Sequence, residues 1–349
     1  MAENENAIPS ECLLGLPLKN GWTVIEKISK SQTGTGGYFS TGYKVKKENQ
    51  IAFLKAFNFF KALQSDDTLK ELQKQLDCFI FERELLELCK GRHMHKVVLP
   101  IDSGDVIVPG FSKLINQVYY IIFELADGDI RTVYSIKNFD FAFIFFSLHN
   151  IAVGIQELHT NGIAHRDIKP SNALVFAKNI KISDIGRASS KDIPFIYDDW
   201  LVAGDPHYIA PEQNYCNYPY TTFEAKCASD MYAFGSLFFF YLFQLPLSSI
   251  FQNHFKEEKI TLSSHLEDDL EIWNRIFGDI LLETEKVLSQ KMKKENVLII
   301  IQMIRQLCYP DPKKRGHIKN VTKSIQQYSL ERFISQLDIL SKKAKFKVL

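Results

Sequence analysis

GIAHRDIKPSN, residues 162–172, puts a basic pair, an aspartate, a lysine, a proline and an asparagine into one short polar stretch behind a strongly apolar, helix-compatible run. A loop of this kind can hold Asp167 as a proton acceptor while, five residues on, the amide oxygen of Asn172 reaches a divalent cation. Both are hard oxygen groups of the kind magnesium takes. Taken singly, each more often serves a turn, so the neighbouring segments decide.

Twelve residues after Asn172, KISDIG (181–186) delivers Asp184 from an apolar strand into a glycine-containing turn, a place for a second carboxylate on the same ions. Two acids and an amide imply a metal together with phosphate. Upstream, SQTGTGGYFSTGY (31–43) is a glycine-rich turn between two strands, and at Gly34, Gly36 and Gly37 no side chain keeps a phosphate from the backbone. Lys55 in the next strand adds a positive charge, and the helix that follows carries Glu82 and Glu84, either of which can fix its direction. A lone glycine loop or a lone strand lysine is weak; the weight lies in their shared order.

From Trp22 to about Glu124 short strand-like runs (22–29, 41–47, 51–57, 97–104 and 118–125) surround one helical stretch at 66–90. Within that stretch Leu69, Leu72, Leu76 and Phe79 recur at three- and four-residue spacing, with Asp66 and Asp67 as caps at the start and Gly91 just past the end. From about residue 140 onward long apolar helical segments dominate. The chain therefore divides into a strand-rich first lobe and a helical second lobe, joined near ELADGD (124–129).

In this order the segments resemble the eukaryotic-type protein kinase family, from about Trp22 to Arg315. HRDIKPSN (165–172) is similar to the catalytic loop, DIG (184–186) stands where DFG is usual, APE (210–212) matches literally, SDMYAFG (229–235) resembles the central-helix motif, and DPKKR (311–315) resembles the segment whose arginine pairs with the APE glutamate. The resemblance implies an α+β, bilobal protein kinase-like fold, a small β-rich N-lobe with one main helix and a larger, mostly helical C-lobe. It implies that Asp167 orients the substrate hydroxyl and accepts its proton, Lys169 steadies the transferring phosphoryl group, Asn172 and Asp184 hold magnesium, and Lys55 contacts the α- and β-phosphates of ATP. The intact DIKPSN lysine favours serine and threonine acceptors over tyrosine. Of the two glutamates, Glu82 has Leu85, Leu86 and Cys89 at offsets of three, four and seven, beside an inward-facing stripe, and is the expected partner of Lys55. At the junction, Phe123 is expected at the back of the adenine pocket, with the Glu124 carbonyl and the Ala126 amide on the base edge.

Several positions depart from the family pattern. The glycine loop is one residue longer than usual, and Ser40 stands where its third glycine is expected. Phe53, two residues before Lys55 and on the same strand face, replaces a small alanine over the adenine, while Gly42 replaces the valine that normally completes that roof. Large replaces small and small replaces large, which suggests an exchange of volume across adjacent strands. Asp205 occupies the place of a threonine, where it can pair with Lys169 or repel Asp167. Ile185 keeps an apolar plug in place of phenylalanine. Between Gly186 and Ala210 there is no threonine, leaving Ser189, Ser190 and Tyr197 as phosphorylation candidates and Asp198 or Asp199 as a standing negative partner for Arg166.

The remaining features set limits. Lys and Arg number 42 against 41 Asp and Glu, so no global attraction to nucleic acid or an anionic membrane is indicated. Six cysteines without CxxC spacing argue against zinc or a disulfide framework and favour a reducing, cytoplasmic setting, as does an acidic, polar start where a signal peptide would be basic and then apolar. The apolar stretch 231–247 is slightly short for a span and is interrupted by Ser236, Gln244 and Pro246, so it reads as a buried central helix without stable membrane insertion. The expected organisation is a loose tail at 1–20, the N-lobe and hinge at 21–126, the C-lobe at 127–335 and a basic, solvated tail at 336–349. The expected activity is ATP- and magnesium-dependent phosphorylation of serine or threonine in protein substrates, autophosphorylation included. The alternatives are a pseudokinase acting as an interaction module and, more distantly, a small-molecule phosphotransferase.

Overall fold

Tyr43 and Val45 on one strand and Ala52, Leu54 and Ala56 on the next are fully buried, every second residue, as one covered face of a sheet requires. The computed structural model describes residues 8–28, 40–60, 62, 65–112, 116–136, 140–323 and 326–349. Its first lobe is a five-stranded antiparallel sheet of β1 (Thr23–Lys27), β2 (Ser40–Lys47), β3 (Gln50–Phe57), β4 (Pro100–Ile107) and β5 (Gln117–Glu124), in the order β1-β2-β3-β5-β4. Register places Gly42, Lys55 and Ile121 side by side across β2, β3 and β5, and Lys44, Phe53 and Phe123 in the next row. Both rows face away from the Tyr43–Leu54 side.

That opposite side is closed by the N-terminal segment. Residues 8–20 are not the loose tail expected of them: Leu13 and Leu18 are buried in one cluster with Trp22, Tyr43, Leu54 and Tyr120. The Tyr43 hydroxyl donates to the Ser10 carbonyl at 2.8 Å, and the Lys19 amide donates to the Tyr120 hydroxyl at 3.3 Å. An irregular segment has no period to announce itself, yet an uncovered apolar sheet face needs one.

Helix α1 (Thr68–Gly91) starts at Asp67, whose carboxylate accepts from the Lys70 amide. Its inward stripe begins later than the leucine spacing suggests. Leu69 is 81% exposed, whereas Gln75, Phe79, Glu82, Leu85, Leu86 and Cys89 are buried, because only the later turns lie over the sheet.

The second lobe comprises β6 (Gly128–Asp129), α2 (Ile130–Ile136), α3 (Phe141–Thr160), β7 (Ile163–Ala164), β8 (Ala173–Phe176), β9 (Asn179–Ile182), β10 (Ser189–Ser190), α4 (Phe223–Phe243), α5 (Leu247–Glu257), α6 (Leu266–Ser289), α7 (Lys294–Leu307), α8 (Ile318–Lys323) and α9 (Glu331–Lys345). Helix α4 is the expected central helix, buried without a break from Lys226 to Tyr241; it ends at Phe243, where Gln244 turns left-handed at φ 59°, so the apolar run to 247 is not one helix. The basic tail is also corrected. Phe333, Leu337 and Leu340, at four- and three-residue spacing, bury α9 against α3, and Lys343 donates to the buried Asn296 of α7 at 2.8 Å, while Lys342 and Lys345 stay exposed.

The lobes are joined by backbone as well as by the hinge. The Val98 amide donates to the Ile182 carbonyl at 2.7 Å and the Ile182 amide to the Lys96 carbonyl at 2.8 Å, tying β9 to the approach to β4. Asp184 is thereby delivered to the cleft floor two residues beyond a fixed point.

Candidate active site

Lys55 leaves the cleft face of β3 and meets two carboxylates. Its ammonium donates to Glu82 Oε1 at 2.7 Å and Oε2 at 3.0 Å, and to Asp184 Oδ1 at 3.1 Å. Glu82, not the exposed Glu84, is the partner, as the helical offsets indicate. Burial alone would lower the lysine's pKa; Asp184 and Glu82 more than offset it and push it up, so the ammonium stays charged. Glu82 is raised by its own burial, against the pull of Lys55, while Asp184 is lowered chiefly by Lys55. Space for the pair is made at Gly186, where a β-carbon would stand 2.9 Å from Glu82 Oε2. Asp184 itself holds a left-handed φ of 61°, a conformation costly for a residue with a side chain and concentrated at functional sites.

Below the cleft, Asp167 is nearly surrounded. Its Oδ1 accepts from the Asp205 amide at 2.8 Å; its Oδ2 accepts from Asn172 Nδ2 at 3.0 Å and lies 3.0 Å from Lys169 Nζ. Burial raises its pKa, opposed by Lys169. Asn172 also donates to the Asp167 carbonyl at 2.8 Å. With the amide nitrogen so committed, the orientation of Asn172 is fixed and its oxygen is the group left for a cation.

The loop that carries Asp167 is held by a residue whose individual role sequence reading missed. Asp230, in α4 and 1% exposed, accepts from the His165 amide at 2.6 Å, the Arg166 amide at 2.7 Å and the His159 ring at 2.9 Å. The SDMYAFG motif marked the helix, but nothing in a one-dimensional pattern says that a carboxylate 63 residues downstream of Asp167 will clamp that loop. Arg166, at φ 65°, turns its side chain the other way and donates to the carbonyls of Tyr197 and Trp200.

On the side where the resemblance implies adenine lie Phe123, buried in β5, its cross-strand neighbour Phe53 and the junction residues Glu124 and Ala126. The Glu124 carboxylate lies 2.7 Å from Lys181 Nζ. Ser40 opens β2 and Gly42 lies beneath the ring of Phe53; Gly34, Gly36 and Gly37 lie outside the described residues. Ile185 is buried in the cluster under α1, as an apolar plug would be.

Among the described residues no group of three or more His, Cys, Asp or Glu forms a ready-made metal cage. The donors on offer are the half-exposed carboxylate of Asp184 and the amide oxygen of Asn172. A sparse, all-oxygen set of this kind fits magnesium, which keeps several waters and shares its shell with phosphate.

Glu212 and Arg315, buried at the base of the second lobe, form the paired contact the motifs implied, at 2.7 and 2.8 Å. The family model for the protein kinase domain matches residues 29–325. Serine/threonine-protein kinase MPS1 of Saccharomyces cerevisiae is 26% identical over 306 residues, 83% of this chain and 35% of that protein. Extracellular signal-regulated kinase 7 of Drosophila melanogaster is 26% identical over 275 residues, 75% of this chain and 26% of its own length. Serine/threonine-protein kinase DCLK1 of Rattus norvegicus is 35% identical over 139 residues, 38% of this chain and 29% of its own length. The chain spans about a third or less of the length of these relatives.

Proposed function

Because this chain belongs to the protein kinase family, we propose that it transfers the γ-phosphoryl group of ATP, with magnesium, to serine or threonine hydroxyls of proteins, its own chain among them. The observation that carries the reading is the position of Lys55, whose one ammonium reaches Glu82 on α1 and Asp184 on the opposite lobe at 2.7 and 3.1 Å. That arrangement joins the two walls of the cleft around a cation suited to phosphate oxygens. Phosphoryl transfer asks mainly for positioning and charge neutralisation, and little else from the protein. Asp167 would orient a hydroxyl and take its proton, with Lys169, 3.0 Å away, serving the phosphoryl oxygens. Magnesium, when held by Asp184 and Asn172, would neutralise phosphate charge. Six free cysteines go with a reducing, cytoplasmic setting.

A second reading, a kinase-fold interaction module, is favoured by the ring of Phe53 in the expected adenine roof and by the altered glycine-rich turn. The test is transfer of labelled phosphate from ATP with and without magnesium, to protein and peptide acceptors and to small alcohols, with Asp167→Ala as control. Transfer to serine or threonine that needs magnesium and Asp167 supports the enzyme. ATP binding with no transfer to any acceptor supports the module, and transfer confined to small alcohols moves the chain to the small-molecule class.

A further inference from the structure

Asp205 stands opposite Lys169 across the acceptor side of Asp167. Its backbone amide is spent on Asp167 Oδ1, an approach made possible by Gly204, where a β-carbon would stand 2.5 Å from that same oxygen. Its Oδ1 is spent on His207, accepting from the amide and the ring nitrogen at 3.0 Å each. What remains is Oδ2, which lies 3.7 Å from Lys169 Nζ, while the same ammonium is 3.0 Å from Asp167 Oδ2. Lys169 therefore has two carboxylates, one belonging to the reaction and one that does not. All three side chains are largely shielded, at 7 to 15% exposed, so the charges are only weakly screened by solvent. Burial by itself would raise the Asp205 pKa; the His207 bonds and Lys169 more than offset it and hold it below the ordinary range, so it is an anion at neutral pH.

We propose that Asp205 is a positioning residue for Lys169: anchored from behind by His207, it gives the ammonium a second anionic partner and holds it between Asp167 and the phosphoryl group in transit. The role rests on the phosphotransfer reading above. It makes the carboxylate, in a position where resemblance leads one to expect a threonine, an electrostatic part of the site and more than the cap of the short helical turn at 206–208.

The two possibilities separate cleanly because Asn retains the cap and the shape of Asp while removing the charge. In Asp205→Asn, kcat is expected to fall about tenfold with the KM for ATP within about twofold of the parent, the pattern of an interaction used in the transition state. In a Lys169→Gln background the same substitution is expected to change kcat by less than about twofold, since the charge acts through the lysine. His207→Gln, at a side chain 69% exposed, removes an anchor without touching the core and is expected to lower kcat about threefold. Equal losses from Asp205→Asn in both backgrounds, or no loss in either, would overturn the role. Absence of transfer in the parent protein removes the phosphotransfer reading and this role with it, whereas transfer with additive losses removes the role alone.

Discussion

A β-carbon on Gly42 would stand 2.9 Å from Cε2 of Phe53 and 3.3 Å from its Cζ, so the phenyl ring occupies the volume that a side chain at position 42 would claim. The two residues lie on the cleft side of neighbouring strands, Gly42 opposite Lys55 and Phe53 opposite Lys44. A ring carried by β3 thus fills the volume that a valine carried by β2 would take, and the adenine roof that the family resemblance implies would be built from the other strand. Valine at 42 meets the ring directly, and overpacking of this kind costs about 1–3 kcal/mol. Gly42→Val is therefore expected to weaken ATP binding by about tenfold or more, by displacing Phe53 into the base site. Gly42→Val with Phe53→Ala returns the volume to β2 and is expected to recover most of that loss. Calorimetric titration of the three proteins decides it; equal affinities would show that the ring does not bound the nucleotide site.

The N-terminal segment makes a prediction of a different kind, about stability. Leu13 is fully buried beneath the sheet, where the Tyr43 hydroxyl also receives its amide at 3.4 Å. Leu13→Ala is expected to cost about 2–5 kcal/mol in urea denaturation, as large-to-small changes in a packed core do. Removing residues 1–20 should cost at least as much, because it also uncovers Leu54 and Tyr120. Truncation without loss would mean that the segment merely rests on the sheet.

A third expectation concerns regulation. Ser189, Ser190 and Tyr197 are all at least nine-tenths buried, and the segment that carries them is already held. Phe195 stacks on Phe81 of α1 with centroids 4.0 Å apart, beside Glu82. Arg166 binds the Tyr197 and Trp200 carbonyls, and the carboxylate of Asp198 lies 4.0 Å from Arg166 and 3.7 Å from the buried Lys226. The standing negative charge is thus Asp198, and Lys226 is a second cation that no motif flagged. Phosphatase-treated protein is expected to keep its transfer rate within about twofold, since one carboxylate and an aromatic stack already do what an added phosphate would do. Phe195→Ala should lower the rate about three- to tenfold by loosening α1 and with it Glu82, given about 0.5–1.5 kcal/mol for an aromatic pair. A rate abolished by phosphatase would contradict this.

What could be read in advance divides along physical lines. The convergence of Lys55 with Glu82 and Asp184, and of Asp167 with Asn172, was legible because the family resemblance rests on particular side chains at near-fixed spacing along loops and one helix face. The strands were legible because alternation survives wherever one face is buried. Residues 8–20 and α9 were misread for opposite reasons: the first has no period, and in the second the lysines at 342, 343 and 345 drew attention from the Phe333–Leu337–Leu340 stripe. Asp230, Gly204 and Lys226 escaped because each acts on a partner far away in sequence, and only folded geometry brings such pairs together.

The buried pair Glu212–Arg315 gives the last test, and its outcome turns on how many partners the arginine has. Arg315 is fully enclosed and binds both Glu212 oxygens, and it also donates to the carbonyls of Ala228 at 2.8 Å and Tyr309 at 3.0 Å. Burial would lower its pKa, but Glu212 more than compensates and raises it, so the guanidinium remains charged where water cannot reach it. Glu212→Gln leaves that charge uncompensated and is expected to cost about 3–5 kcal/mol, read from urea denaturation. Replacing the whole pair, as Glu212→Leu with Arg315→Met, removes the uncompensated charge; the Ala228 carbonyl keeps its helical bond within α4, while the Tyr309 carbonyl loses its donor, worth about 1–3 kcal/mol when left unpaired. The double variant is therefore expected to be less stable than the parent but more stable than Glu212→Gln by about 2 kcal/mol. A double variant no more stable than Glu212→Gln would mean that the carbonyl contacts of the arginine, and not its charge, set the loss.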